Sequence, residues 1–195
     1  MGRPPASKCN LFFFDCETGG LSPREADMLE VACIVTDPTG VTVIGEYSAK
    51  VFPKKPVHPK AAAVNGYTIE KWATEAVELD TAMVTMLGMA QNAMFVAHNT
   101  GFDWSFFERA MAQRYQRWPG DYHRPDTVAL AMPLLMADKV PNLKLETLAK
   151  YFGISHEAAH TALSDVRVCR QVYLKLMSLY LPTLEALPPM EVVAA

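Results

Sequence analysis

The run Asn10–Phe14 (NLFFF) is the feature that most constrains how this chain can fold. It is short, apolar and rich in aromatic residues, which is typical of a strand buried on both faces of a sheet. Such a strand lies at the centre of its sheet, where other elements cover it on both sides. The rest of the sequence must therefore supply two covering layers.

The elements after this run are a strand hairpin and then alternating helices and strands. The run Leu29–Thr36 is rich in β-forming residues and ends at a turn, Asp37-Pro38-Thr39-Gly40, after which Val41–Phe52 supplies the antiparallel partner. This order predicts an α/β fold with a mixed five-stranded β-sheet flanked by α-helices. Further strands are predicted over 93–98 and 122–126, and helices beyond an N-cap at Asp80 and over about 101–117, 127–137, 144–152 and 162–180.

The length of 195 residues suits one domain with or without a tail. We expect an N-terminal extension over residues 1–9, a folded domain over 10–181 and a C-terminal tail over 182–195. Pro182 is expected to end the last helix, because proline has no backbone N–H. The segment from Leu187 onward is expected to be mobile, and a protein partner could dock on it. The sequence does not indicate the oligomeric state.

Composition and charge exclude several classes of protein. Half of the residues are hydrophobic and a fifth are charged, which excludes a disordered, collagen-like or coiled-coil protein. The 18 basic and 21 acidic residues give a net charge of −3. Proteins that grip long duplexes are usually basic, so that class is disfavoured, whereas a small site that touches only the end of a strand stays open.

The sequence also predicts a cytoplasmic protein without a membrane span. The first ten residues have no apolar core of a secretory signal. The stretch Thr81–Phe102 lacks Asp, Glu, Lys and Arg, but polar residues and two glycines interrupt it, so it is interpreted as a buried helix followed by a buried strand. The four cysteines form no CxxC pair and are expected to be reduced thiols in the core.

Two carboxylates follow the predicted central strand directly, in Phe14-Asp15-Cys16-Glu17. Because side chains alternate along a strand, Asp15 and Glu17 project from one face and Cys16 from the other. Like charges about 4 Å apart repel by roughly 4 kcal/mol at an effective dielectric of about 20, so either one carboxyl is protonated or the two share a cation. Taken alone, the pair is also explained as two turn residues that face water.

Two more acidic sites lie where helices are predicted to begin. Asp103 ends the segment His98-Asn99-Thr100-Gly101-Phe102-Asp103, which joins a buried strand to a helix. Asp165 follows Thr161, the expected N-cap of the last helix, and His160 lies just ahead of that helix. Taken singly, each aspartate could simply complement a helix dipole.

Together, these segments resemble the DEDDh 3′–5′ exonucleases, the family of the bacterial proofreading subunit, which has a ribonuclease H-like fold. The matching segments are DCETGG at 15–20, HNTGFD at 98–103 and HTALSD at 160–165, in the family's order and with its typical separations. A weaker match is VNGYT at 64–68, which resembles the family's small turn before its next helix. The resemblance covers about residues 10–180, and His160 places the chain in the histidine branch.

The resemblance implies that four carboxylates bind two divalent cations and that His160 is the general base; the ligands are Asp15, Glu17, Asp103 and Asp165. Physical chemistry agrees, because four converging carboxylates cannot all stay ionised without cationic compensation. Oxygen ligands favour hard ions, Mg²⁺ or Mn²⁺, over zinc, and two such ions can flank a scissile phosphate. Histidine titrates near neutrality, which suits a group that takes a proton from water.

The resemblance also implies how a free 3′ end is held. The backbone around Glu17 and Thr18 contacts the terminal 3′-hydroxyl, and Leu21 wedges between the last two bases. Asn99 and Phe102 resemble secondary contacts, although core packing also accounts for Phe102. Stacking and wedging do not depend on the identity of the base, so digestion of single strands without sequence preference is expected.

The leading hypothesis is a metal-dependent 3′–5′ exonuclease that releases nucleoside 5′-monophosphates from single-stranded ends. DNA is favoured as the substrate, in proofreading, repair or other trimming. An exoribonuclease resembling ribonuclease T or oligoribonuclease stays open, because contacts to the 2′-hydroxyl cannot be recognised in the sequence. A non-catalytic adaptor that binds nucleic acid or a replication partner is disfavoured, since every acidic position is present.

The remaining polar residues are assigned structural roles. Asp126 is expected to cap a helix rather than to bind metal. His58, His123 and His156 have no carboxylate at the family's spacing and are predicted to be surface or loop residues. Two basic groups are interpreted as solvated faces, with attraction of a phosphate backbone as the alternative: Lys50, Lys54, Lys55 and Lys60, and Arg109, Arg114, Arg117 and Arg124.

Overall fold

The structure is a computed structural model that describes residues 4–114, 116–156 and 160–185, with side chains as far as residue 182. Its sheet consists of β1 (Asn10–Thr18), β2 (Met28–Thr36), β3 (Val43–Lys50) and β4 (Ala93–Val96). The strand order is β3-β2-β1-β4, and β1 pairs antiparallel with β2 and parallel with β4. The predicted α/β fold with a mixed sheet is confirmed, with four strands among the described residues.

The helices cover both faces of this sheet. A short 3-10 helix over Ala6–Lys8 precedes β1. The α-helices are α1 (Pro59–Asn65), α2 (Ile69–Glu75), α3 (Leu79–Met89), α4 (Thr100–Ala112), α5 (Thr127–Met136), α6 (Leu145–Phe152) and α7 (Ala162–Glu185).

The apolar run at the start of β1 forms the centre of the sheet, as predicted. Phe12, Phe13 and Phe14 have no exposed surface. Phe12 and Phe14 point towards α3 and α4, where the ring of Phe14 lies 5.0 Å from that of Phe107 and 5.2 Å from that of Phe95. Aromatic rings at these separations add packing energy beyond the burial of their area.

The opposite face of β1 is covered by α7. Phe13 packs there with Val166 and Tyr173, and the ring centroids of Phe13 and Tyr173 are 5.3 Å apart. A further apolar cluster joins α5 and α6 to the outer side of α7. The central strand therefore has α4 on one side and α7 on the other, and both helices begin near its carboxyl end.

The predicted fifth strand over 122–126 is wrong. In the described chain this segment makes a single parallel bridge, between Ala97 and Asp126. Pro125 has no N–H to donate to a ladder, and the Asp126 side chain instead accepts hydrogen bonds from the backbone of its neighbours. The segment therefore touches the edge of the sheet without extending it.

Several helix boundaries also differ from the sequence prediction. The helix α1 was not predicted, although Pro59 at its start has the backbone angle that a first helical turn needs. The helix α2 begins at Ile69, directly after VNGYT, where the resemblance implied a helix. Asp80 lies in the first turn of α3, whose N-cap is Glu78.

The prediction that Pro182 ends the last helix is wrong, because α7 continues to Glu185. Pro182 removes only the one intrahelical bond that its own N–H would have donated. The Tyr180 hydroxyl also donates to the carbonyl of Leu130 and ties this part of α7 to α5. The predicted tail segment from Leu187 to Ala195 lies outside the described residues.

Two other predictions about the core can be compared with the structure. The uncharged stretch 81–102 forms most of α3, then β4 and the start of α4, as the buried helix and strand that were predicted. None of the helices in the described ranges combines the length and the hydropathy needed to cross a membrane. Cys9, Cys16, Cys33 and Cys169 are buried free thiols, as expected.

Phe14→Ala is expected to destabilise the protein more than the loss of an exposed phenylalanine. Phe14 is fully buried, so its truncation removes apolar contacts and leaves a cavity, at a cost of about 3–5 kcal/mol in the free energy of unfolding. Urea denaturation of purified variants measures this cost. The matched control is Phe52→Ala, because 45% of Phe52 is exposed and its loss should cost about 1 kcal/mol or less. Equal losses in the two variants would show that Phe14 is not a core residue.

Candidate active site

The first pair of predicted site residues lies in β1 itself. The strand continues to Thr18, so Asp15 and Glu17 belong to the sheet and are not turn residues. Cys16 packs in the cluster on the α4 face, so Asp15 and Glu17 project on the α7 face, as the alternation of side chains predicted. Both carboxylates are thereby held by the paired backbone of the central strand.

Asp103 reaches β1 because β4 is short. The last pair between β1 and β4 is Phe13 with Val96, so the edge of β1 beyond Phe13 is not covered by β4. Oδ1 of Asp103 accepts a hydrogen bond from the backbone N–H of Cys16 at 3.2 Å, and the Cys16 Sγ lies 3.5 Å from the same oxygen. Asp103 is only 3% exposed, so a carboxylate from α4 takes the place that a longer strand would fill.

Asp126 sets the direction in which α4 leaves the sheet. Its carboxylate accepts from the backbone N–H groups of Asn99 at 3.1 Å and Thr100 at 3.0 Å. The same carboxylate caps α5 by accepting from the N–H of Val128 at 2.8 Å, which confirms the predicted capping role. Asn99 has a left-handed backbone with φ +65°, a turn that asparagine tolerates better than most residues. The segment that carries Asp103 is therefore fixed from the neighbouring connection.

Asp165 lies at the beginning of α7, on the face of the sheet opposite to α4. Its Oδ1 is 2.5 Å from Nε2 of His156, and its Oδ2 accepts from the backbone N–H of His160 at 3.3 Å. Ligand atoms of Glu17, His160 and Asp165 all lie within 4.8 Å of one another, so these three residues could hold a metal ion. The structure thus brings together segments that are more than 140 residues apart in the sequence.

His156 lies in the loop between α6 and α7, as predicted, and it has a carboxylate partner that the sequence analysis did not identify. Its side chain is 12% exposed and contacts Asp165. The two residues are separated by nine positions, which differs from the spacing that defines the family motif. The sequence signal that could have found it is a second histidine shortly before the motif, in a chain with five histidines in all.

Glu30 is another residue that the sequence analysis did not identify. It pairs directly with Glu17 across β1 and β2. Burial raises the pKa of its carboxyl group, while nearby Lys50 and a hydrogen bond from the backbone of Ala162 oppose that shift. Glu30 therefore contacts the start of α7 from the sheet, and its only sequence signal is a charged residue inside the apolar run MLEVACIVT.

Burial and mutual repulsion disfavour the ionised carboxylates. Burial, followed by the charges of Asp103, Asp165 and Glu17, raises the pKa of Asp15 well above its ordinary value. Burial, followed by the charge of Asp165, raises the pKa of Glu17 to about 7. Burial raises the pKa of Asp103 to about 7 as well, even though its bonds from Cys16 oppose the shift. Near neutral pH Glu17 and Asp103 are therefore poised between protonation and the binding of a cation.

The chemistry of this donor set fits divalent cations. Within the described ranges, no lysine or arginine forms a salt bridge with Asp15, Glu17, Asp103 or Asp165. Carboxylate oxygens are the ligands preferred by hard cations such as Mg²⁺ and Mn²⁺. The unsatisfied negative charge at the end of β1 is thus of the kind that bound cations compensate.

A cavity of about 910 Å³ opens beside these carboxylates. Glu17, Thr18, Leu21 and Phe102 line it, and 88% of Leu21 is exposed there. Phe102 also packs against the core, with its ring 5.2 Å from that of Phe106, so its packing role is confirmed and its contact with substrate stays a prediction. A volume of this size is in the range of small-molecule sites, which is about 300–1,000 Å³.

The segment VNGYT at 64–68, which is the weaker match to the family, supports the wall of the cavity. Asn65 donates from Nδ2 to the carbonyl of Thr18 at 3.2 Å and accepts from the N–H of Tyr67 at 3.1 Å. The hydroxyl of Thr18 donates to the carbonyl of Gly20 at 2.8 Å. Asn99, by contrast, is exposed and does not belong to the described cavity wall. Its predicted contact with substrate stays a prediction.

Most of the basic side chains for which contacts are described form ion pairs or ring contacts with other residues of this chain. Lys50 pairs with Glu75, Lys55 with Asp27 at 3.1 Å, and Arg114 with Asp80. The guanidinium of Arg124 lies 3.7 Å from the centre of a Trp104 ring. Lys60 lines the cavity. Of the two predicted basic groups, Lys60 is therefore the residue best placed to meet a phosphate at this cavity.

The free energy of unfolding of the metal-free protein is expected to fall as the pH rises from 5 to 8. The raised pKa values mean that the folded protein keeps protons on these carboxyl groups up to a higher pH than the unfolded chain does. Between the two pKa values a rise in pH therefore favours the unfolded chain and lowers the free energy of unfolding. For Glu17, a pKa raised from 4.5 to about 7 corresponds to about 3 kcal/mol at the alkaline end. Mn²⁺ should raise the midpoint of thermal unfolding, and more at pH 8 than at pH 5.

Thermal unfolding followed by circular dichroism at both pH values measures these changes. Glu17→Gln should flatten the pH dependence and reduce the stabilisation by Mn²⁺. Glu108→Gln is the control, because that carboxylate is exposed in the middle of α4. A metal-free protein that becomes more stable towards pH 8 would contradict the raised pKa values.

Comparison with known proteins agrees with this geometry. Residues 12–173 match the model of the RNase_T exonuclease family. DNA polymerase III PolC-type from Thermotoga maritima is 28% identical over 167 residues, which are 85% of this chain and 12% of that protein. DNA polymerase III subunit epsilon from Treponema pallidum is 26% identical over 165 residues, which are 85% of this chain and 75% of that protein.

Among solved structures, E. coli exonuclease I in complex with a dT13 oligonucleotide has a TM-score of 0.79 to this chain at 19% identity. The likeness covers 91% of this chain and 43% of that one, so the chain spans less than half of the exonuclease I structure. The common fold confirms the predicted ribonuclease H-like architecture. Because the family match extends from β1 into α7 and covers most of the sequence, this chain belongs to the RNase_T exonuclease family.

Proposed function

We propose that this chain is a metal-dependent 3′–5′ exonuclease that acts on the 3′ end of single-stranded DNA and releases nucleoside 5′-monophosphates. The observation that carries the proposal is the convergence of Asp15, Glu17, Asp103, His160 and Asp165 at the end of β1, next to an open cavity. Three segments far apart in the sequence supply these residues. A fold that needed only stability would pair such carboxylates or leave them in water.

Four carboxylates of this chain are proposed to hold the cations. Asp15 and Glu17 would contribute from β1, Asp103 from α4 and Asp165 from α7, with Mg²⁺ or Mn²⁺ as the ions and two as their number. When bound, the cations supply electrophilic stabilisation of the charge on the phosphate and make the attacking water more acidic. Asp103 is preorganised for this role, because the N–H of Cys16 already fixes one of its oxygens.

His160 is proposed as the general base of the reaction. It is exposed and lies within 4.8 Å of carboxylate oxygens of Glu17 and Asp165, so its ring can meet a water molecule at the site. The imidazole takes a proton as the water oxygen bonds to phosphorus. The bond from phosphorus to the 3′ oxygen of the preceding nucleotide breaks, and that oxygen takes a proton from the imidazolium or from solvent. This leaves a new 3′-hydroxyl on the strand and a free nucleoside 5′-monophosphate.

The cavity is proposed to hold the terminal nucleotide. The backbone at Glu17 and Thr18 would contact the 3′-hydroxyl, and this backbone is braced by the bond from Asn65 to the Thr18 carbonyl. Leu21, exposed at the cavity, would separate the last two bases, and Phe102 would pack against the sugar or base. These contacts do not read the base, so digestion without sequence preference is expected.

DNA is proposed as the substrate rather than RNA. The family relatives named above include DNA polymerase III proteins, and the exonuclease I structure contains a dT13 oligonucleotide. These support a deoxyribose strand as the substrate of this chain. The alternative is an exoribonuclease, which would need contacts to the 2′-hydroxyl at the same cavity.

Digestion of 5′-labelled single strands tests the proposal directly. With Mg²⁺ or Mn²⁺ the protein should shorten a DNA strand from its 3′ end into a ladder, and the RNA strand of the same sequence should be shortened more slowly. Asp103→Asn and His160→Ala should each lower the rate by about 10²–10⁴-fold, because one removes a carboxylate of the cation site and the other the base.

His123→Ala is the matched control for the histidine variant. His123 is exposed, pairs with Asp121 and belongs neither to the proposed catalytic set nor to the described cavity wall, so its loss should leave strand shortening largely intact. No ladder on either strand with the parent protein would refute the exonuclease. Faster digestion of RNA would refute the assignment of DNA and retain the reaction.

A further inference from the structure

His156 approaches Asp165 from outside the family motifs. Its Nε2 lies 2.5 Å from Oδ1 of Asp165, and the two side chains are 12% and 13% exposed. A short contact between a ring nitrogen and a carboxylate oxygen is a charge-assisted hydrogen bond, which is stronger than a bond between neutral groups. Because an ionised carboxylate can only accept hydrogen bonds, the bond to ionised Asp165 takes its hydrogen from Nε2 of the imidazole.

The same carboxylate also holds the backbone of His160. Oδ2 of Asp165 accepts from the His160 N–H at 3.3 Å. His160 has φ +68°, a left-handed conformation that is strained for a residue other than glycine and persists only where its surroundings hold it. His156 and His160 thus bind the two oxygens of one carboxylate, one through its ring and one through its backbone.

Asp103 and Asp165 differ in what fixes them. The carboxylate of Asp103 is held by a backbone N–H in the central strand, which no substitution of a side chain removes. Asp165 is held at Oδ1 by the side chain of His156. Each oxygen of a carboxylate has two acceptor positions. The two described histidine contacts use one position on each oxygen of Asp165, so these contacts alone saturate neither oxygen.

We propose that His156 is a positioning residue that orients the carboxylate of Asp165 for divalent cations and so keeps His160 next to Glu17. The inference rests on the proposed function in one respect, namely that Asp165 is a cation ligand. Hydrogen-bond partners of metal ligands fix the direction of the ligand atoms, and their loss typically costs about 10–100-fold in metal affinity or activity. His156 does so here without belonging to the carboxylate set.

Binding of Mn²⁺ to the protein without nucleic acid tests this role. The free ion is measured by electron paramagnetic resonance at one pH, together with the midpoint of thermal unfolding. His156→Leu fills the space without a donor and should weaken Mn²⁺ binding about 10–100-fold. His156→Gln keeps an N–H donor at a similar reach and should bind Mn²⁺ nearly as well as the parent. The two variants together separate the hydrogen bond from the packing of the ring.

His123→Leu is the matched control. Nδ1 of His123 also lies 2.5 Å from an aspartate oxygen, that of Asp121, but this pair is not part of the proposed site. Its loss should leave Mn²⁺ affinity unchanged. If His156→Leu does not fold, His156→Asn replaces it, because the shorter amide keeps polarity but does not reach Asp165, and it should show the same weakening.

The outcomes distinguish this inference from the proposed function. Parental affinity in His156→Leu or His156→Asn overturns the role of His156. A Gln variant that folds like the parent but binds Mn²⁺ as weakly as the Leu variant also overturns it, because the ring and not the donor would then matter. A parent protein that binds no Mn²⁺ overturns both proposals. A parent that binds Mn²⁺ but digests no strand overturns the exonuclease and leaves the role of His156 standing.

Discussion

Repulsion among carboxylates that the fold forces together is the interaction on which the rest of this structure depends. Asp15 lies on β1, which has a neighbouring strand on each side, and its pKa is raised by burial and by the charges of Asp103, Asp165 and Glu17. Native structures retain such an arrangement only where other interactions overdetermine it. Here the three phenylalanines of the same strand, all fully buried, provide that support within a few residues of the acids.

The site forms where β4 ends before β1 does, which leaves the last part of β1 without β4 as a neighbour. Because β4 ends opposite Phe13, the N–H of Cys16 is available to a carboxylate instead of to another strand. On one face α4 supplies that carboxylate, and on the other α7 supplies Asp165. Asp126 then fixes the connection that leads into α4. The site is thus a consequence of unequal strand lengths and of two helices that begin at the same end of the sheet.

The sequence predicted the parts of this arrangement that have local signals. The buried run, the hairpin and the beginnings of α4, α5, α6 and α7 could be predicted from residue patterns, whereas the five motif residues were identified through the resemblance to a known family. The end of β1 could not be placed, because charged residues after an apolar run look like a turn, whereas here they are still paired with β2. The segment predicted as a fifth strand lies at the edge of the sheet but makes only one bridge to it. Pro125 and the capping role of Asp126 are incompatible with a ladder of hydrogen bonds.

The residues that sequence reasoning missed contact the site from neighbouring elements and do not belong to the motif segments. Glu30 meets Glu17 from a neighbouring strand, and His156 meets Asp165 across the connection between α6 and α7. Neither contact follows from a helical or strand period, so no periodicity could indicate it. The two residues have different effects on the site. Glu30 adds a carboxyl group beside Glu17, where carboxylates already repel one another, whereas His156 donates a hydrogen bond to Asp165. A cation at the end of β1 would therefore relieve the repulsion that Glu30 increases, and it would meet an Asp165 whose direction is already set.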